Sequence, residues 1–208
     1  MSWGGWSFLS GKDLKTVIED SHKEPIITPP MDFVLSNTVF YKPKSINVDN
    51  ISEMGVEFIK KEEGFRGKAY LDSVGVWTIG YGTIKVDGQK VKSGDVCSKA
   101  EAHVWLMEEI DHQCVPWINK LVKVPLTQEM FDVLCSFVYN LGWPALQRST
   151  LLTMLNSGDY RGAGDQILRW NKGKVDGEFV VIDGLDKRRR REREIFVASI
   201  ANINANIG

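Results

Sequence analysis

The chain has 208 residues and a mass of 23.5 kDa, with 26 Lys and Arg against 27 Asp and Glu, a formal net charge of -1. Apolar residues make up 43% and charged residues 25%, the composition of a soluble globular domain plus an appendage and not of a disordered chain. There is no apolar run of about 18 residues to span a membrane, no charge excess to favour nucleic acid, and no basic or apolar leader region in Met1–Trp6.

Residues 1–50 stand apart. They carry Pro25, Pro29, Pro30 and Pro43 and no long apolar stripe of helical period. Residues preceding proline are pushed out of the helical region, so Glu24–Pro30 should be extended. Phe33–Leu35 and Thr38–Tyr41 are short strand-like pieces. The stretch reads as an extension with little core of its own, followed by a compact domain over residues 51–208.

The domain opens with a helix. Ile51, Met54, Phe58 and Ile59 fall at helical spacing, Ser52 can cap the start and Gly64 the end. Next come Lys68–Leu71, a turn at Asp72–Gly75, then Val76–Tyr81, Thr83–Val86, a turn at Asp87-Gly88 and Gln89–Val91. These pieces predict a small antiparallel sheet of three strands. Ser98 with Glu101 forms a capping box, and Ala102, Leu106, Ile110, Cys114, Trp117 and Leu121 mark a long helix bent or broken near Pro116. Further helices are predicted around Gln128–Leu141 (closed by Gly142), Thr150–Leu155, Arg161–Trp170 and Asp186–Ile200. One small sheet followed by many helices is an α+β fold, with two lobes and a cleft between them.

Three carboxylate and hydroxyl positions suggest chemistry. Glu63 lies in the last turn of the first helix, where unpaired carbonyls carry the negative end of the helix dipole. That field disfavours a charged carboxylate and suits a general acid. Asp72 opens a turn, where polar contacts keep a carboxylate charged, and Thr78 offers a hydroxyl that can hold a water beside it. A protonated acid, an anionic carboxylate and a held water are the requirements of glycoside hydrolysis. Taken singly, a Glu at a helix end, an Asp before a turn and a Thr in a strand are equally marks of ordinary structure.

The longer motifs are more specific. Glu63–Asp72 followed by Thr78–Gly82 resembles the active-site signature of the phage-type lysozymes, the muramidase endolysins and virion lysozymes of tailed bacteriophages. Leu126–Gln128 leading into Ser136–Gly142, then Ser149–Leu152 with Leu155–Gly158, then Trp170 and Gly184–Arg189 with Glu192, Ile195 and Phe196, resemble that family in the same order. The resemblance covers about Ile51 to Phe196 and leaves the first 50 residues unexplained.

It implies a two-lobed, lysozyme-like fold that cuts the β-1,4 bond between N-acetylmuramic acid and N-acetylglucosamine in peptidoglycan, without a cofactor. By resemblance Glu63 is the general acid, Asp72 the base or electrostatic partner, and Thr78 the residue orienting the water. An inverting enzyme would hold the two carboxyls roughly 6.5–9.5 Å apart. Arg188 would lie across the cleft near Glu63, and Ile84, Tyr139, Asn140 and Thr150 would bind substrate. Where the family often has His after Gly-Tyr-Gly this chain has Thr83, which removes an ion-pair partner from Glu62.

Other residues carry bland readings. Lys187–Glu194 counts six cations against two anions and reads mainly as a solvated helix face, though such a patch could attract anionic polymers. Trp105 and Trp117 are expected in the core. Cys97, Cys114 and Cys135 lack a CxxC spacing and read as free thiols, which suit a reducing compartment. His22, His103 and His112 are too scattered for a zinc site; Glu108 and His112 share a helix face but lack further ligands. The partner expected is peptidoglycan, with no nucleic acid and no transmembrane segment. Two places of work remain open: the host cytoplasm before release to the wall, or a phage particle to which residues 1–50 would dock the enzyme through tail or baseplate proteins.

Overall fold

A computed structural model describes residues 48–72, 75–175 and 178–207. The expectations for residues 1–47 lie outside these.

Helix α1 (Glu53–Glu63) begins where the Ser52 side chain accepts the Gly55 N–H, and it ends at Gly64, whose N–H reaches Lys60 O with φ at 70°. Such a positive φ suits glycine because it has no Cβ. Strands β1 (Arg66–Leu71) and β2 (Trp77–Gly80) then pair antiparallel, with Tyr70 opposite Thr78 and an irregularity between Arg66 and Tyr70. A second, separate ladder joins β3 (Lys85–Val86) to β4 (Gln89–Lys90) around Asp87-Gly88, both at positive φ. The predicted three-stranded sheet is thus two two-stranded ladders, linked through the isolated Ile79–Thr83 bridge. The cause is local: Gly80 and Gly82 at φ 66° and 105° turn the chain out of the extended region between them.

Helix α2 (Lys99–Glu109) starts at the Ser98–Glu101 capping box and runs into a π-helical turn, Ile110–Cys114, before α3 (Val115–Leu121). The expected break therefore falls in the turn preceding Pro116, which occupies the first turn of α3, where its missing N–H is no loss. Ala102, Leu106, Ile110 and Cys114 are all fully buried, and the stripe continues through Ile118 while Trp117 is only half-buried.

The centre of the molecule is α4 (Gln128–Leu141), capped by Thr127 and closed by Gly142. Ten of its 14 residues are buried, from Met130 through Leu141, so it is the core helix around which the others pack. Then follow α5 (Trp143–Gln147), α6 (Thr150–Asn156), α7 (Tyr160–Ile167), a hairpin of β5 (Lys172–Val175) and β6 (Glu178–Val181), α8 (Asp183–Ala198) and α9 (Ile200–Ile207). The β5–β6 hairpin was not expected from the sequence; its strands are mostly exposed and carry no apolar alternation to announce them.

The two parts of the chain meet through close contacts. A Cβ on Gly80 would come within 2.9 Å of Ala102 Cβ, so glycine lets α2 lie directly on β2. A Cβ on Gly55 would come within 2.6 Å of Asp132 Cγ, so glycine leaves the Asp132 side chain of α4 room against α1. There the Asp132 carboxylate accepts from both the N–H and the hydroxyl of Ser52, at 2.9 and 2.5 Å.

Candidate active site

The last turn of α1 and the middle of α8 face each other across the end of α4, although 125 residues separate Glu63 from Arg188 in sequence. Arg188 Nη1 donates to Glu63 Oε1 at 2.6 Å, with side chains 0% and 10% exposed. The carboxyl group at this helix end is therefore met by a sealed guanidinium. Arg188 is fixed in turn: Nε donates to Glu192 Oε1 at 3.2 Å, and Nη2 to the Ser136 carbonyl and hydroxyl at 3.2 and 3.1 Å. Burial lowers its pKa, but the charges of Glu63 and Glu192 outweigh that and hold it above the ordinary value.

The neighbouring carboxylate has its own arginine. Arg191 Nε and Nη2 each donate at 2.7 Å to Glu62, a bidentate pair. The loss of a partner expected from Thr83 is made good by α8. This changes the reading of Lys187–Glu194 as a solvated face. Arg188, Arg189 and Glu192 are fully buried on the inner side, and Lys187, Arg190 and Arg193 pair outward with Asp183, Asp186 and Asp165. A helix presenting four consecutive arginines thereby leaves little net field for an anionic polymer.

Glu63 opens onto a cleft of about 370 Å³. One wall is the loop Gly82–Lys85, another is α2 with its π turn through Trp105, Glu109 and His112, and the floor is the end of α4 through Val138, Tyr139 and Asn140. Of the expected binding residues, Ile84, Tyr139 and Asn140 line this cleft. Thr150 does not: it is exposed at the first position of α6. Tyr139 donates its hydroxyl to Tyr81 O at 2.9 Å, tying the floor to the hairpin lobe. Burial pushes that hydroxyl's pKa well above the ordinary tyrosine value, and the charge of Glu63 adds to the effect.

Asp72 and Thr78 belong to the adjoining hairpin and are nearly buried, at 6% and 2% exposure. Asp72 closes the hairpin, its Oδ1 accepting the Val76 N–H at 2.7 Å while its N–H reaches Val76 O at 2.9 Å. Thr78 donates its hydroxyl to that same carbonyl at 3.1 Å. Tyr70, opposite Thr78, lies within the fields of both carboxylates: burial raises its pKa, Arg66 (4.5 Å above its ring) opposes, and Glu63 and Asp72 add to the rise.

Several cleft residues were not expected. Trp105, expected in the core, lines the cleft. Trp117 is half-buried and stacks on Trp143 at 3.7 Å between ring centres, and Trp143 lines the cleft too. The sequence signal was available: aromatic side chains one turn before and after a helix break. Among the described residues no group of three or more His, Cys, Asp and Glu is placed to hold a metal ion, and no helix is long and apolar enough to cross a membrane. Among the described residues no disulfide is formed: Cys114 and Cys135 are buried, and Cys97 is partly exposed.

A helix-end glutamate held by a buried arginine at the edge of a cleft suits the acid of a glycosidase. The phage lysozyme family profile matches residues 60–192, and the chain belongs to the phage lysozyme family. It is 43% identical over 147 residues to an endolysin of Acyrthosiphon pisum secondary endosymbiont phage 1, covering 71% of this chain and 97% of that one. Among solved structures it resembles the endolysin from Escherichia coli O157:H7 phage FAHEc1, at TM-score 0.69 and 40% identity over 73% of this chain and 95% of that one. It also resembles the muramidase domain of SpmX from Asticaccaulis excentricus, at TM-score 0.65 and 33% identity over 71% of this chain and 97% of that domain.

Proposed function

We propose that Glu63, Asp72 and Thr78 carry out the hydrolysis by which this chain, a muramidase of phage origin, cuts the β-1,4 bond between N-acetylmuramic acid and N-acetylglucosamine in peptidoglycan. The observation that carries the assignment is the Glu63 carboxyl, anchored through Oε1 to Arg188 at 2.6 Å and opening onto the cleft. With Oε1 held, Oε2 is the oxygen left to protonate the leaving glycosidic oxygen. Gly82 leaves it room, since even an added Cβ there would stand 4.0 Å from Oε2.

Thr78 and Asp72 complete the chemistry as a pair of acceptors. The Thr78 proton is committed to Val76 O at 3.1 Å, so its oxygen can only accept from a water. A water that gives one proton to Thr78 and the other to the Asp72 carboxylate turns a lone pair outward. That is the geometry for attack opposite the leaving group, with inversion. Ile84, Tyr139 and Asn140 would bind the sugars, and Arg188 would position Glu63. Thr150 would touch only a substrate extending past the cleft floor.

The enzyme acts on the cell wall. Release from the host cytoplasm is the reading we favour for its route there, with residues 1–50 as an extension outside the catalytic unit. The last residues of that extension already join the helical lobe just before α1, through Asn119 Nδ2 on Asp49 O at 2.9 Å and Gln128 Nε2 on Asn50 O at 3.0 Å. The test of the chemistry is Glu63→Gln. It should lose at least about a hundredfold in wall clearing while remaining folded by circular dichroism; full activity would refute the assignment.

A further inference from the structure

Arg189 takes no part in holding Glu63, yet it is as deeply buried as Arg188 beside it. Two adjacent sealed cations are unfavourable unless anions and acceptors surround them. Arg189 Nη2 donates to Glu192 Oε1 at 2.9 Å and to Asn140 Oδ1 at 3.2 Å. Nε lies 2.9 Å from Glu192 Oε2 but out of line for a hydrogen bond, and Nη1 has no acceptor among the described residues. Besides Glu192 this group meets the Phe137 ring, 5.4 Å away, and Asn140, and the contact to Asn140 is the hydrogen bond that Glu192 does not explain.

That contact fixes a polarity. The two ends of an asparagine amide are alike in shape, and only their partners decide which faces which way. A guanidinium has donors only, so the end of Asn140 that meets Arg189 is the carbonyl oxygen. The other end, Nδ2, has no hydrogen-bond partner among the described residues and is not among the sealed atoms that lack one. Asn140 lines the cleft beside Tyr139, on the same wall that Glu63 reaches.

We propose that Arg189 is a positioning residue that locks Asn140 as a one-way hydrogen-bond donor at the cleft floor, selecting a carbonyl oxygen, the acetamide oxygen of an N-acetylated sugar. This rests on the muramidase reading and adds to it the side of the acetamide that is recognised and the residue that imposes the choice. A freely turning amide would accept from a donor as readily as it donates, and would discriminate little.

The decisive variant is Asn140→Asp, which keeps an oxygen for Arg189 and removes only the NH2 group. Calorimetric titration with tri-N-acetylchitotriose and with its de-N-acetylated counterpart gives the readout. The wild type should bind the acetylated trisaccharide more tightly, and Asn140→Asp should lose about tenfold of that affinity with no fall in melting temperature. Undiminished affinity in Asn140→Asp overturns the proposal. Arg189→Met should weaken the preference for the acetylated ligand by freeing the amide; a folded variant that keeps the full preference also overturns it, and if Arg189→Met does not fold, Asn140→Asp decides. A wild type that failed to clear cell walls would instead sink the muramidase reading, so the two failures are distinguishable.

Discussion

Arg188 and Glu63 form a sealed ion pair, 2.6 Å between Nη1 and Oε1, that joins the penultimate long helix of the chain to the first helix of the domain. Either charge alone would be unfavourable in that place. Together they fix one oxygen of the carboxyl and leave the other to the cleft. Arg188→Met should therefore destabilise the fold by about 3–5 kcal/mol, the range for stripping one partner from a buried pair, and should lower kcat in the fraction that folds. Urea titration followed by single-turnover assays separates the two effects; a loss under about 1 kcal/mol would show the pair to be dispensable.

Glu62 and Arg191 are a different kind of pair. The Glu62 side chain is 4% exposed but that of Arg191 is 44% exposed, so solvent screens one end of a bidentate contact. Glu62→Gln should cost only about 1 kcal/mol and leave wall clearing intact, because nothing ties Glu62 to the cleft. A large activity loss without a stability loss would mean that Glu62 acts on the neighbouring catalytic carboxyl.

The local grammar of the fold was legible in the sequence because it depends on nearest neighbours. Ser52 and Ser98 cap the helices expected of them, and Gly64 and Gly142 end theirs. What failed was whatever depended on distant partners. Lys187–Glu194 looks solvated by charge, yet Arg188 and Arg189 are buried because Glu63, Ser136 and Asn140 converge on them from other elements and meet Glu192 of their own helix. No periodicity announces such a convergence. The sheet was misjudged for a related reason: Gly80 and Gly82 divide it, and glycine in a strand pattern leaves a bend and a continuation equally open. Within the site, Glu63, Ile84, Tyr139 and Asn140 line one cleft, and Trp105 and Trp143 reach it through helix placement that spacing alone does not fix.

The thiols give a test of packing that is independent of catalysis. Cys114 and Cys135 are fully buried and Cys97 is not. Burial also pushes the Cys135 thiol's pKa well up, withholding the reactive thiolate. A thiol reagent at neutral pH should modify one cysteine of three in the native protein, and all three in denaturant. Rapid labelling of two or more native thiols would contradict the packing of α4 against the π turn.

Tyr139 links stability to pH. Its hydroxyl donates to Tyr81 O at 2.9 Å, and burial holds its pKa well above the unfolded value of about 10. A raised folded pKa means that the contribution is fully present below pH about 10. It is then lost as pH climbs toward the folded value, because the unfolded chain releases the proton first. Tyr139→Phe deletes the hydrogen bond and the titration together. Near neutrality it should be less stable by about 1 kcal/mol, and above pH about 10 its stability should fall less steeply than that of the wild type, so that the two curves converge. Tyr70 and Tyr160, also raised chiefly by burial, are common to both proteins and do not affect the difference. Denaturant titrations at closely spaced pH values test this directly: curves that stay parallel into the alkaline range would mean that the Tyr139 proton is not held by the fold.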